Sequence, residues 1–261
     1  MKNRFKQALL DKRAQIGLWQ GLASAYTAEI CAGAGFDWLM LDGEHSPTDI
    51  PMLLSQLQAI GETAAEAVAR PPVGDPWLIK QYLDLGFRTL LIPMVNSAAQ
   101  AAELVAACHY PPAGVRGVAM SRASRWGRDS DYLARADDEV CLLVQVETRA
   151  GIAAAAEISA VDGVDGIFIG PADLSASLGY RGQPSHPDVV EQIARAIGAI
   201  RAAGKAPGIL SADVAAARRY LELGCLFVAV GTDMGLLARA TDALAAEFGR
   251  GPSVPLPTGT Y

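Results

Sequence analysis

The sequence predicts an α/β protein folded as a single closed (β/α)8 barrel. Three observations predict it. Short runs of β-branched and apolar residues alternate eight times with longer Ala- and Leu-rich stretches of helical spacing, the pattern of parallel strands joined by helical crossovers. Runs such as LLIPMV and LLVQV are apolar throughout rather than alternating, so both faces of each strand are buried. No GxGxxG follows the first run, and eight units in 261 residues suit a closed barrel better than an open doubly wound sheet.

The elements follow in order. An N-terminal helix over 4–12 precedes strands at 16–20, 38–42, 65–70, 89–95, 141–147, 166–170, 207–210 and 227–231. Helices are expected between and after them at 26–34, 48–60, 76–85, 98–107, 152–159, 187–203, 212–223 and 234–248. Gly33, Gly35, Gly86, Gly204 and Gly224 fall where helices should end in a left-handed cap. One interval breaks the alternation. Residues 109–139 carry Arg116, Arg122, Arg125 and Arg128 with Trp126, and a connection this long reads as an ordered piece covering a site or a subunit contact. The barrel is assigned to residues 1–249 and a Pro-rich, mobile tail to 250–261. The terminal helices are expected to pack in an oligomer, because a closed barrel leaves them without a sheet edge to cover.

Composition narrows the function. With 51% hydrophobic and 19% charged residues the chain is a folded globular protein, and 22 basic against 28 acidic residues give a formal charge of −6. That balance argues against nucleic acid or an anionic membrane as partner, and a small anionic ligand would need a local basic site. The N-terminal charges are too closely spaced for a signal-peptide core, and no run reaches the 18 or so apolar residues of a membrane span, so a cytoplasmic protein is expected. Cys31, Cys108, Cys141 and Cys225 lack CxxC spacing and read as reduced thiols in apolar surroundings.

The C-terminal ends of parallel barrel strands meet at one rim, where the loops build the active site. The second run ends in Asp42, Glu44 and His45, the third in Arg70, the fifth in Gln145 and Glu147; the sixth runs into GPADLS with Asp173, and the seventh ends in Leu210 and Ser211. Gln145 and Glu147 are two apart and share a face. Glu147 with Asp173, beside the Gln145 amide, makes an oxygen-rich site for a hard divalent ion such as Mg²⁺ or Mn²⁺. The alternative is a pair of acids bridged by arginine or capping helices, with Asp173 a plain N-cap. The turn before Ala172 and Asp173 offers backbone N–H groups to a carboxylate or phosphate. Arg70, stiffened by Pro71 and Pro72, suits a substrate carboxylate or a developing oxyanion. His45 is the proton-transfer candidate among three histidines, His109 and His186 reading as ordinary surface groups. None of Lys2, Lys6, Lys12, Lys80 and Lys205 falls at a strand end, which disfavours a Schiff base and favours metal polarisation of a carbonyl.

Together LMLDGEHSP, AVARPP, LLIPMV, HYPPAGVRGVAMSRASRWG, VQVETRAGI and IGPADLSASLG resemble the HpcH/HpaI aldolase family, the class II metal-dependent pyruvate aldolases, from about residue 17 to 248. The resemblance implies a TIM barrel that cleaves 4-hydroxy-2-keto acids, as in aromatic catabolism, to pyruvate and an aldehyde through a metal-stabilised enolate. It implies a divalent ion (Mg²⁺, Mn²⁺ or Co²⁺) on Glu147 and Asp173 with Gln145 close by. Arg70 would contact the keto oxygen, and Gly170, Ala172 and Asp173 the pyruvate carboxylate. His45 would move a proton at the aldol hydroxyl, assisted by Asp42 and by Asp84 of a neighbouring subunit. Trp19, Val118 and Leu210 would shape the aldehyde pocket, and the assembly would be a hexamer with exchanged terminal helices. The readings set beside it are a 2-keto-3-deoxy sugar acid aldolase of the same family, an acyl-CoA lyase of the citrate-lyase-like barrels, whose only support is the loop arginines, and a non-catalytic ligand-binding barrel. The last would have lost Arg70, Glu147 or Asp173.

Overall fold

In the computed structural model, which describes residues 2–251, eight parallel strands close into one barrel in sequence order. They are β1 (Gln15–Gln20), β2 (Trp38–Asp42), β3 (Glu66–Arg70), β4 (Thr89–Ile92), β5 (Cys141–Val146), β6 (Gly166–Ile169), β7 (Ala206–Leu210) and β8 (Phe227–Thr232), with β8 pairing back onto β1. The expected single-domain barrel is the observed fold. From residue 252 the expected tail lies outside the described residues.

Side chains alternate between two apolar layers. Outward residues such as Leu39, Leu41, Leu142 and Val144 pack against the helices in one cluster. Inward residues Trp38, Met40, Val68, Leu143, Phe168 and Phe227 fill the barrel. At the C-terminal rim the register sets Asp42 directly beside Arg70.

The helix α1 (Arg4–Leu10) corrects one expectation. It turns Phe5, Ala8 and Leu9 into the base of its own barrel, with the Phe5 ring edge-on to Trp38 at 5.8 Å and Phe227 at 5.9 Å. Its apolar face is thus used within the chain, and each aromatic pair adds about 0.5–1.5 kcal/mol beyond area burial. The helix stops earlier than expected, with Lys12 beyond it at φ 57°. The C-terminal helix α12 (Asp233–Glu247) behaves oppositely. Asp233 is its one buried residue among those described, while Leu244 is 63% exposed and Phe248, just past its end, 77%.

The other helices are α2 (Ala25–Ala32), α3 (Ile50–Ile60), α4 (Pro76–Leu85), α5 (Ala98–Cys108), α6 (Tyr132–Glu139), α7 (Arg149–Ala153), α8 (Ala155–Ser159), α9 (Pro171–Ser177), α10 (Pro187–Ala202) and α11 (Val214–Glu222). Asp49, Asp75, Ser97 and Asp213 cap helix N-termini with side-chain oxygens. Gly35, Gly86, Gly204 and Gly224 take positive φ as expected, whereas Gly33 caps α2 in the right-handed region.

Two further differences have local causes. β4 ends at Ile92 rather than at residue 95, because Pro93 has no N–H for the ladder and Met94 turns to φ 60°. The long segment 109–139 contains a 3-10 turn (Arg122–Ser124) and α6, and it packs at the base of the barrel, away from the rim. There Arg122 donates to the Leu85 carbonyl at the end of α4 at 2.6 Å, and Arg116 pairs with Asp84 at 2.9 Å. Among the described residues no helix is long and apolar enough to cross a membrane.

Candidate active site

The rim is organised around Arg70 at the end of β3. Its Nε and Nη2 donate to the two oxygens of Asp42 at 2.9 and 2.7 Å, and Nη1 lies 2.8 Å from Glu44 Oε2. The guanidinium also lies over the Trp19 ring, 4.7 Å from its centroid. Trp19 in turn donates from Nε1 to Asp42 at 3.0 Å. Burial alone would push the Asp42 carboxyl upward, but the hydrogen bonds and charge of Arg70, with the Trp19 N–H, outweigh it and hold the pKa below the usual value. Glu44 is pushed up by burial, partly offset by Arg70 and His45.

Glu44 reaches Arg70 because of Gly43. A Cβ there would lie 2.5 Å from the Tyr82 hydroxyl and 2.8 Å from the Arg70 carbonyl, so only glycine lets the β2 loop fold this closely over β3. Sequence reasoning placed Glu44 in the acidic loop without giving it a role; its ion pair depends on that loop geometry. His45 stands on the same loop with its side chain 67% exposed, and its nearest carboxylate is Glu44, 3.9 Å from Nε2. Asp42 meets His45 only at the backbone N–H, 3.3 Å away, so its expected assistance to the imidazole is not direct.

The metal candidates lie on the neighbouring strands. Glu147 follows β5 and is buried. Its Oε1 accepts from the Met94 N–H at 2.9 Å, and its Oε2 accepts from the Gln145 amide. Met94 is the residue that sequence reasoning missed; the available signal was Pro93 interrupting an apolar run. Burial raises the Glu147 pKa, the Gln145 and Met94 bonds lower it, and the charges of Glu44 and Asp173 raise it again. Asp173 sits exposed in the first turn of α9. Gly170 is the N-cap and makes no side-chain cap bond, so the reading of Asp173 as a plain N-cap is not what the structure shows.

These residues fit a hard divalent ion. Gln145 Oε1 is buried without a hydrogen-bond partner, an orphaned acceptor beside the Glu147 carboxylate, whose pKa the charge of Asp173 helps to raise. A Cβ on Gly170 would come within 2.7 Å of Glu147 Oε2, so the glycine keeps the space beside that oxygen open. The described residues hold no group of three or more His, Cys, Asp or Glu suited to a metal; the donor set is two carboxylates with an amide, as in sites that keep bound waters. The first-turn N–H groups of α9 at Ala172 and Asp173 have no intrahelical acceptor.

Leu210 ends β7 and packs on the interior cluster beside the rim. Val118 and Asp84 do not join the rim of their own chain. Val118 is 64% exposed in the segment beyond α5, and Asp84 lies near the C-terminal end of α4, bonded to Arg116. His109 bonds the Val105 carbonyl within its own helix, and His186 caps α10, both away from the site.

A closed eight-stranded parallel barrel with a clamped arginine and buried carboxylates at its C-terminal rim defines a (β/α)8 barrel with a polar rim site. The HpcH/HpaI aldolase/citrate lyase family matches residues 15–240, and the chain belongs to this family. A 4-hydroxy-2-oxo-heptane-1,7-dioate aldolase of Salmonella dublin is 58% identical over 263 residues, covering 100% of both chains. The crystal structure of an HpcH/HpaI aldolase/citrate lyase family protein from Burkholderia cenocepacia J2315 superposes with a TM-score of 0.92 at 43% identity, covering 95% of this chain and 100% of that one. The citrate lyase beta subunit from M. tuberculosis, solved with oxaloacetate and magnesium, shares the fold at 20% identity and a TM-score of 0.58, over 85% and 92% of the two chains.

Proposed function

We propose that this protein is a divalent-metal-dependent aldolase that cleaves 4-hydroxy-2-keto acids, with 4-hydroxy-2-oxo-heptane-1,7-dioate as the substrate, to pyruvate and an aldehyde. The observation that carries this reading is the rim itself: a rigid arginine beside the buried Gln145–Glu147 pair with its orphaned amide oxygen. The full-length likeness to curated aldolases of that substrate supports it.

Glu147 and Asp173 would hold the ion, with Gln145 beside them. When bound, it supplies Lewis acidity to the carboxylate and keto oxygens of the 2-keto acid and makes the neighbouring C–H acidic. Arg70 holds the keto oxygen as it takes up negative charge, and its orientation is set in advance by Asp42 and Glu44. The N–H groups at the start of α9 hold the pyruvate carboxylate. His45 takes the proton of the 4-hydroxyl as the C3–C4 bond breaks, and its exposure leaves it free to reach that oxygen. Trp19 and Leu210 line the aldehyde side.

Asp84 and Val118 serve the site of a neighbouring copy in this reading, which makes the protein a homo-oligomer, and a hexamer in particular. Within one chain the loop arginines lie at the opposite end of the barrel from the rim, so they do not support the acyl-CoA alternative at that chain's own site. Dialysis against a chelator abolishes cleavage of 4-hydroxy-2-keto acids, and Mg²⁺, Mn²⁺ or Co²⁺ restores it. Borohydride with pyruvate leaves the chain's mass unchanged; a stable lysyl adduct would overturn the reading.

A further inference from the structure

The base of the barrel carries a second concentration of charge, of the opposite sign to the chain as a whole. A cavity of about 650 Å³ opens there between the C-terminal ends of α3 and α4, the start of β3 and the segment leading into α6. Seven of its lining residues are arginines and three are acids, in a chain whose formal charge is −6.

The acids account for only some of these arginines. Arg4 and Arg88 both face Glu66, at 3.9 and 2.6 Å. Arg135 pairs with Asp129, and Arg116 with Asp84 outside the cavity. Glu139 accepts from the Asn3 backbone N–H. Arg122, Arg125 and Arg128 have no carboxylate within ion-pair distance among the described residues. Among the described residues Arg122 donates to the Leu85 carbonyl alone, and burial lowers its pKa. Arg128 lies over the Trp126 ring at 5.6 Å and donates from Nη1 to the Arg125 carbonyl at 3.4 Å.

The backbone is strained to produce this arrangement. Arg125, Trp126 and Gly127 all take left-handed φ, at 50°, 57° and 81°. For the two non-glycine residues this conformation is strained, and such strain persists where the surroundings hold it. Here Trp126 N–H donates to the Ser121 carbonyl and Gly127 N–H to the Ser124 carbonyl, so the turn is closed on itself and its N–H groups face inward. What it presents outward is side chains: two guanidinium groups and an indole face. Guanidinium forks match the paired oxygens of phosphates and carboxylates.

We propose that the base cavity is a second binding site, at the opposite end of the barrel from the rim of the same chain, for a small oxyanion carrying two or more negative charges, held by Arg122, Arg125 and Arg128. A phosphate-bearing molecule and an organic dicarboxylate share that chemistry. Neither the rim residues nor the aldolase reading enters the argument.

Calorimetric titrations of the intact protein with inorganic pyrophosphate and, separately, with succinate test it. At least one probe binds saturably, and binding weakens at high salt. The double variant Arg122→Gln, Arg125→Gln binds that probe at least tenfold more weakly, while Glu147→Gln at the rim binds it as the unaltered protein does. The single variant Arg125→Gln, at an exposed position, shows the same direction of change if the double variant folds poorly. Which probe binds identifies the source of the charge. Failure of both probes to saturate, undiminished binding by the arginine variants, or loss of binding in Glu147→Gln would each overturn the proposal. So would a fall in light-scattering mass of the arginine variants, which would make these arginines a contact between copies.

Discussion

Two of the five N–H donors of Arg70, one on Nε and one on Nη2, are committed to Asp42, while Nη1 stands in ion-pair contact with Glu44, which leaves N–H groups on both terminal nitrogens for a ligand. The two carboxylates fix the plane of the fork, and the Trp19 ring supports its face. Asp42 therefore acts on stability as well as on orientation. Its pKa is lowered in the folded chain, so its contribution is complete at pH values above the unfolded carboxyl's 3.8 and is lost as pH falls through the lower native value. Asp42→Asn is expected to lose about 3 kcal/mol of stability at neutral pH, the cost of breaking a buried pair. The difference from the unaltered protein shrinks as the pH falls below about 4, as denaturant unfolding at several pH values would show. An unchanged difference at pH 3 would contradict the ion-pair account. The sequence made Asp42, Arg70, Glu147 and Asp173 visible because strand ends share a rim. It did not show that Asp42 belongs to Arg70 rather than to the His45 ring, since that depends on which strand register brings the carboxylate alongside the guanidinium.

At the scale of elements, alternation and apolar runs made nearly every strand and helix legible, because helix caps and strand burial are local or periodic signals. What escaped them was set by tertiary contacts. β4 gives up its last residues so that Met94 can turn its N–H onto Glu147, and the predicted helix at 152–159 is instead two short helices, α7 and α8, meeting at Ala154. The junction of β6 and α9 is equally specific. Gly170 has φ −91° and ψ 97°, which alanine also accepts, so Gly170→Ala is expected to fold. Its Cβ would nevertheless stand 2.7 Å from Glu147 Oε2 and displace the carboxylate. Titration with Mn²⁺ should show affinity reduced about 10- to 100-fold, the scale of losses when groups around a metal ligand are disturbed. Unaltered Mn²⁺ affinity would mean that Glu147 does not hold the ion.

The whole molecule has two different ends to its chain. The α1 helix closes the base of its own barrel, which sequence alone could not decide, because the partner of an isolated amphipathic helix is not written in its spacing. By contrast, α12 leaves Leu236, Leu237 and Leu244 exposed, an apolar surface of the kind that monomeric proteins avoid. Light scattering is expected to give a multiple of the monomer mass, and Leu237→Glu combined with Leu244→Glu is expected to lower it. A monomer at working concentration would contradict the assembly, and with it any role for Asp84 or Val118 at a neighbouring rim.

The central claim is that Arg70 stabilises the oxygen of an enolate formed from pyruvate. The most direct measurement is the exchange of pyruvate methyl protons for deuterium, followed by NMR with the metal-loaded protein and no aldehyde present. Arg70→Ala should slow this exchange about 10²- to 10³-fold, together with aldol cleavage. Arg70→Lys should not restore it fully, because a point charge lacks the planar fork. Leu210→Ala should keep the exchange while altering aldehyde preference. Normal exchange in Arg70→Ala would contradict the account and assign the arginine to the aldehyde instead.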